Sequence, residues 1–334
     1  MILVTGANGF LGRHVVRRCA DDPSGPPLRI LVRNVQPGHR QNIEVVTGDL
    51  GDEASLRRAV EGIDTIVHLA SKNIDHDGSG YAEVNIEGTR RLCAAAAAAG
   101  VSRLVYVSSV GVYGHGTFRD ADESTPIRPD SPFSRSKAAA EAIVLDHHRR
   151  GAFLAVILRH RFVYGDGDRS LIPSLARAAK KLPVWISGGR ARTSVVLADD
   201  FAEVVRRVVA LPAEAFGAST PVFHVTDGRP IAYRELVTAS CRLFGVTPPR
   251  LSIPFALIYA PVRAIELLRV TDPERASISS IRLRLVGRDN YYSNRKLSAL
   301  LPDLHFTPFA EGLARSAGYY EGARVLMDRL AHRS

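Results

Sequence analysis

Cysteine is scarce. Cys19, Cys93 and Cys241 are the three in 334 residues, odd in number and far apart. That spacing gives neither a disulfide framework nor a zinc site, so no metal is expected, and buried thiols in a reducing cytoplasm are the plain reading. Long apolar runs are lacking too. The nearest, residues 251–268, contains Pro254, Pro261, Arg263 and Glu266, so no integral membrane span is expected. The opening Met1-Ile2-Leu3-Val4 already reads as a strand rather than a basic leader, so no signal peptide is expected. Dense blocks of like charge are absent as well. Lys and Arg total 44 against 34 Asp and Glu, a net charge of +10, but the excess is almost all arginine and is spread along the chain. A nucleic-acid binder would cluster that charge on one face; an anionic cofactor and a solvated arginine-rich surface explain it, and no nucleic-acid partner is expected.

What is present is an ordinary globular balance, 46% apolar and 23% charged, over a length suited to about two domains. In the first half, short β-branched or apolar runs at 1–4, 28–32, 43–47, 65–69, 104–108 and 154–158 alternate with helical stretches at 9–20, 53–60, 81–99 and 134–149. Alternation of this kind gives an α/β fold, a doubly wound parallel sheet of the Rossmann type with helices on both faces. The alanine run at 94–99 reads as helix packing closely on the sheet and ending at Gly100, a structural feature. Beyond Tyr164, prolines at 173, 183, 212, 221, 230, 248 and 249 break the pattern, with helices expected at 203–211 and 234–244. Residues 1–165 are therefore expected to form the dinucleotide-binding domain and 166–334 a smaller substrate domain that returns a strand near 222–225 to the main sheet.

Thr5-Gly6-Ala7-Asn8-Gly9-Phe10-Leu11-Gly12 directly follows the first strand and opens the first helix. Gly6 permits the tight turn, Gly9 lets backbone approach a pyrophosphate, and Gly12 allows close helix–strand packing, while the helix N-terminus supplies amide donors. The glycines alone could serve only a turn; strand, turn and helix in this order favour nucleotide binding. The pattern resembles the extended short-chain dehydrogenase/reductase family, which includes NAD(P)-dependent epimerases and dehydratases, and the likeness runs along nearly the whole chain. Gly48-Asp49-Leu50 resembles the turn whose aspartate meets the adenine, and His68-Leu69-Ala70, followed by Ser71, the loop over the adenosine. Asn85-Ile86-Glu87-Gly88-Thr89, Val107-Ser108-Ser109 with Val112-Tyr113-Gly114, Val163-Tyr164-Gly165 and Ala198-Asp199-Asp200 match further family motifs. The resemblance implies that Ser109 is the catalytic hydroxyl and that Lys137 holds the nicotinamide ribose.

The second strand ends in Arg33-Asn34, where NAD-preferring members carry an aspartate. An arginine fork suits a 2′-phosphate, so NADP is expected in preference to NAD, with Arg13, His39 and Arg40 near enough in sequence to help; an exposed arginine leaving the sheet edge is the plain alternative. The resemblance also implies a Tyr-x-x-x-Lys pair on one helix. Here the segment is Ser131-Pro132-Phe133-Ser134-Arg135-Ser136-Lys137, and Phe133 occupies the tyrosine position. Phenylalanine has no proton to exchange, which costs a general acid–base about 10²–10⁴ in rate. Another group then moves the proton, or the chain binds nucleotide without turnover, or the residue is an engineered change. Ser109 is the first candidate replacement; His115, an imidazole just after Tyr113-Gly114, and His160 and Tyr164, after the sixth strand, are others, each equally readable as structural.

On the substrate side, nucleotide-sugar members carry an asparagine where this chain has Phe162, which argues for an apolar ligand, whereas Arg192 matches an arginine that clasps a diphosphate. The stretch 251–268 reads as small-domain core, as a wall for a hydrophobic ligand, or as a surface helix on a membrane. With the tail from Tyr291 to Gly312, it resembles the hydroxysteroid-dehydrogenase-like branch. The expected activity is an NADP(H)-dependent one on a hydroxyl or carbonyl of a small, rather apolar metabolite. A dehydratase- or isomerase-like enzyme, or a catalytically silent NADP(H)-sensing protein, is the alternative. Family analogy adds a homodimer through helices 81–99 and 134–149.

Overall fold

Strands that are apolar on both faces need cover on both faces, and seven short strands meet that need together. The computed structural model describes residues 1–35, 43–73, 80–217, 221–268 and 279–323. Strands β1 (Ile2–Thr5), β2 (Leu28–Val32), β3 (Ile43–Thr47), β4 (Thr65–His68), β5 (Arg103–Ser109), β6 (Leu154–His160) and β7 (Val222–Val225) form one sheet. Its order is β7-β6-β5-β4-β1-β2-β3, and every pairing is parallel. The order reverses between β1 and β4, which opens a crevice at their carboxyl ends.

Side chains alternate across a strand. Val4, Ile30, Val67, Val105 and Leu158 therefore meet helices α1 (Phe10–Ala20) and α6 (Ala198–Ala210) on one face. Leu3, Leu31, Ile66, Leu104 and Ile157 meet α2 (Glu53–Val60), α3 (Gly88–Ala98) and α4 (Pro132–Arg149) on the other. Both α6 and β7 lie beyond residue 165 yet pack into this first core.

Several boundaries differ from the sequence reading. Helix α4 begins at Pro132 rather than 134, because Ser131 caps it reciprocally with Ser134 and proline suits the first helical position. Helix α6 begins at Ala198, with Asp199 and Asp200 in a first turn that favours acidic residues. The expected helix at 81–99 is a π-helical segment, Tyr81–Glu87, running into α3. Within that segment Asn85 donates to Lys72 O and Ser136 Oγ and accepts from Lys72 N, so side chain and loop are tied together. Strand β6 extends to His160, because the ladder continues through the pairing of Ser109 with His160.

The smaller lobe is built from short strands and from α5 (Ile172–Lys181) and α7 (Tyr233–Leu243). A four-stranded sheet runs Ile231–Ala232, Arg192–Thr193, Asn290–Tyr292, Phe118–Ala121, and Phe162–Tyr164 pairs with Val195–Leu197. The reading of 251–268 as core is corrected. Helix α8 (Phe255–Leu267) buries only Glu266, while Leu251, Leu257, Ile265, Leu267 and Leu268 are exposed. Among the described residues it packs chiefly on α9 (Ser280–Gly287), with Phe255 N bonded to Ser187 Oγ, which leaves those side chains uncovered.

One buried charge ties the sheet to its helices. Arg159 of β6 forks onto Glu141 of α4 at 2.9 and 2.5 Å and donates to Tyr113 Oη at 2.6 Å. Tyr113 Oη in turn lies 2.7 Å from His224 Nε2 of β7. Removing one partner of such a pair leaves an uncompensated charge. Glu141→Ala is therefore expected to lower the unfolding free energy by about 3–5 kcal/mol in urea titration, with Glu141→Gln losing less. A loss below ~1 kcal/mol would show that Arg159 finds another acceptor.

Candidate active site

The carboxyl ends of β1, β2, β4, β5 and β6 open into a cleft of about 940 Å³. Gly6, Asn8, Gly9, Phe10, Leu11 and Gly12 line it, with Arg33, Asp49, Leu50, Leu69, Ala70 and Ser71. Gly6 has φ +73°, and a Cβ on Gly12 would sit 2.1 Å from Gly6 O, so backbone rather than side chain forms the cradle. Gly9 caps α1 without a side-chain bond, which leaves the first-turn amides facing the cleft. An elongated anion with backbone-hugging phosphates fits this cradle. Arg33 and Asp49 are both exposed, with Nε 4.0 Å from Oδ2, a pair loose enough to yield to a stronger anion. His39 and Arg40 lie outside the described residues.

Thr5 holds the two sides of the crevice together. Its hydroxyl is 2.7 Å from His68 Nδ1 and accepts from Ala70 N at 3.3 Å. Burial, helped by Lys137, pushes His68 down to about 3, so the ring stays neutral between Thr5 and Thr89.

Across the crevice, Ser109 ends β5, and its Oγ accepts from Gly111 N at 3.0 Å. Phe133 and Lys137 share the wall, one turn apart on α4, and the Phe133 ring meets Tyr81 edge-on at 6.0 Å. Lys137 is buried, donates from Nζ to Val107 O at 2.8 Å and sits 4.4 Å over the Tyr106 ring. Burial pulls its pKa down to about 7, and Glu141 opposes this only in part. Glu141 is already engaged by Arg159.

His115 lines the same cleft. Its Nδ1–H donates to Asp130 Oδ1 at 2.6 Å and its backbone N–H to Oδ2 at 3.1 Å. That tautomer leaves Nε2 as an acceptor, without a hydrogen-bond partner among the described residues. Burial opposes ionisation of Asp130, but the His115 contacts, with Arg284 3.5 Å away, hold its carboxyl below the usual range. His160 also lines the cleft, yet burial pushes it down to about 4, with Lys137 adding to the effect. It cannot carry a proton near neutrality.

Two expected site residues are corrected. Tyr164 is fully buried in the small-lobe core, edge-on to Phe309 with its hydroxyl donating to Phe309 O, because its strand passes beneath the lobe. Arg192 is turned onto Tyr291, 2.9 Å from its hydroxyl, and is not among the cleft-lining residues. Phe162 does line the cleft. Sequence reasoning missed Asp130 as the partner of His115, and it missed Arg161, Leu171 and Leu285, which also line the wall. The signal for Arg161 was its place directly after the sixth strand; Leu285 had none, since it arrives from α9. No cluster of His, Cys, Asp and Glu among the described residues suits a metal ion, and no helix among them is long and apolar enough to cross a membrane.

A family model described as NAD dependent epimerase/dehydratase family matches residues 2–219. A 4-hydroxy-2-methyl-3-oxo-4-farnesyl-3,4-dihydroquinoline-1-oxide ketoreductase of Stigmatella aurantiaca is 29% identical over 86% of this chain and 86% of that protein. Sterol demethylase protein B of Methylococcus capsulatus is 31% identical over 93% of this chain and 97% of its own length. Among solved structures, the dTDP-glucose 4,6-dehydratase DesIV of Streptomyces venezuelae, with NAD and TYD bound, superposes with a TM-score of 0.72. It is 25% identical, and the match covers 97% of this chain and 98% of that one.

The lysine gives a pH test. In the unfolded chain Lys137 keeps its proton to about pH 10.4; folded, it releases it near 7. Between those values the unfolded state binds more protons, so stability rises with pH. Urea titrations of the nucleotide-free protein from pH 7.5 to 9.5 are expected to show that rise, and Lys137→Met to flatten it. An unchanged slope in the variant would mean the ammonium is solvated.

Proposed function

Since the chain belongs to the NAD dependent epimerase/dehydratase family, within the extended short-chain dehydrogenases/reductases, whose members depend on a nicotinamide dinucleotide, we propose that it is an NADP(H)-dependent oxidoreductase acting on a hydroxyl or carbonyl of a small, rather apolar metabolite. The observation that carries this reading is the single cleft that holds the glycine cradle and Arg33 together with Ser109, Lys137 and His115. Apolar relatives' substrates agree with it: the names of the two relatives above speak of a farnesylated quinoline oxide and a sterol. Phe162, Val163, Leu171 and Leu285 give the cleft apolar walls to match.

The amides at the start of α1 hold the pyrophosphate, Asp49 meets the adenine, and Arg33 takes the 2′-phosphate. Lys137 holds the ribose, either as ammonium or as amine, since it titrates near neutrality. A nicotinamide bound there would supply hydride transfer to and from the substrate carbon. Ser109 donates a hydrogen bond to the substrate oxygen. His115 Nε2 takes the hydroxyl proton on oxidation and returns it on reduction, with Asp130 fixing the tautomer and balancing the imidazolium. Phe133, unable to exchange a proton, becomes an apolar wall in this scheme. Phe133 also favours a second reading, a silent NADP(H) sensor.

His115→Ala is expected to lower kcat by about 10²–10⁴-fold, with nucleotide affinity kept. A sensor would stay inert with every alcohol or ketone offered, in the wild type and in Phe133→Tyr alike. Arg33→Asp is expected to weaken NADP(H) binding about 10- to 100-fold and NAD(H) binding much less. Equal losses for the two nucleotides would mean that Arg33 does not select.

A further inference from the structure

We propose that the outward face of α8 docks the protein on a membrane surface that carries anionic lipid. The proposal stands apart from the reading of the cleft. A helix on a protein surface ordinarily turns its apolar side inward and its polar side to water. In α8 both sides are apolar. Phe255, Ile258, Tyr259 and Val262 recur at helical spacing and are half-buried, with Glu266 buried on the same side. Opposite them, Leu257, Pro261, Ile265, Leu267 and Leu268 face outward, with Arg263 as the one charge among them. Leu257 and Leu268 are 69% and 75% exposed. Leu251, on the strand that leads into α8 through Pro254, extends the patch. Among the described residues only Val35, Ile127 and Leu182 are other large aliphatic side chains so placed. Leu182 lies close to the same patch, because it shortly precedes Val184, the register partner of Leu251. Exposed apolar surface gathered in this way marks an interaction site.

Charge decides what covers the face. Among the described residues from 250 to 288, the charged side chains are Arg250, Arg263, Arg282, Arg284, Arg288 and Glu266. Glu266 is engaged from within: it accepts from Ser280 N at 2.7 Å and lies 3.4 Å from Arg263 Nη1. The patch therefore presents no carboxylate, while Arg250, Arg263, Arg282 and Arg288 are exposed. Residues 180–190, whose strand and turn pack on the strand of Leu251, add Lys180, Lys181 and Arg190 and no acid. The next carboxylate along the chain, Asp289, is bonded to Arg119 at 2.7 Å and accepts from Arg192 N. Arg288 lies 5.0 Å over Phe255 and 5.9 Å over Tyr259, which holds it at the edge of the helix. A second copy of the chain laid on this face about a two-fold axis would set arginine against arginine with no acid to answer. An anionic bilayer supplies the opposite charge. Its headgroup region takes an apolar face edged by cations, whose long side chains reach back to the phosphates. With 13 residues α8 is too short to span the bilayer, so it lies in the plane of the surface.

The face is also well placed. Helix α9 packs on α8, where Gly287 makes room for the Phe255 ring. The same α9 brings Leu285 to the wall of the cleft. One helix thus touches both the docking helix and the cleft, and docking sets the cleft beside the lipid.

Co-flotation of the full chain with vesicles tests this, using phosphatidylcholine alone and phosphatidylcholine mixed equally with phosphatidylglycerol. The protein is expected to bind the mixed vesicles about 10-fold more tightly than the neutral ones and to be released as salt rises. Leu257→Glu with Leu268→Glu is expected to lower binding to the mixed vesicles by about 10-fold or more. The urea midpoint should stay unchanged, because both side chains stand in solvent. Leu257→Ala with Leu268→Ala keeps good helix formers, gives a smaller loss and serves where the first pair does not fold. No binding to the mixed vesicles, equal binding to both kinds, or binding that survives both pairs of substitutions overturns the proposal. Light scattering without lipid examines the other occupant: an oligomer that either pair dissolves assigns the face to a second copy and overturns the lipid assignment.

Discussion

The buried guanidinium of Arg159 is the constraint around which the site is arranged. A cation inside a parallel sheet must be matched by charge and hydrogen bonds or be excluded from the interior. Its partners come from three other parts of the chain: Glu141 from α4, Tyr113 from the turn after β5 and, through Tyr113, His224 from β7. Meeting that requirement fixes α4 against β6 and fixes the turn after Ser109 against both. The same contacts thereby set the positions of Phe133, Lys137, Ser109 and His115. Structural charge and candidate chemistry share one network.

The network also decides the character of the lysine. Glu141 is the acidic group that bears on Lys137, and it is bound to Arg159. Lys137 is left with a backbone carbonyl and the face of Tyr106, so burial dominates and its pKa falls towards neutrality. Behind His115, Asp130 is held ionised by His115 and Arg284. A neutral-leaning amine and a carboxylate-backed imidazole thus line one cleft. A lysine whose pKa burial depresses, facing the same cleft as a carboxylate-backed imidazole, is the usual material of acid–base sites.

The cleft is polar where the sheet ends and apolar where the smaller lobe covers it. The glycine cradle, Ser109 and Lys137 come from the sheet side; Leu171 and Leu285 come from the lobe. Arg161 stands at the junction, attached to the last residue of β6 and stacked on Phe162. A ligand lying across that junction meets dinucleotide-type backbone donors at one end and an apolar wall at the other.

The sequence alone determined the sheet and the cradle. Apolar runs of strand length, alternating with helices, admit little besides a doubly wound parallel sheet, and a glycine whose Cβ would strike a carbonyl can serve only where backbone must come close. Local rules also explain the start of α4, through Ser131, Pro132 and Ser134. Only the tertiary structure decided the remainder. Tyr164 and Arg192 carry suitable chemistry, but packing buries one under Phe309 and turns the other onto Tyr291. Core was one reading of the apolar stretch at 251–268, yet among the described residues α8 packs chiefly on α9 and leaves its leucines outside. Asp130 is unremarkable in sequence and becomes significant through what stands beside it. Burial, pKa and hydrogen-bond partners depend on residues far apart in the chain, so no local pattern encodes them; they exist once the sheet brings those residues together.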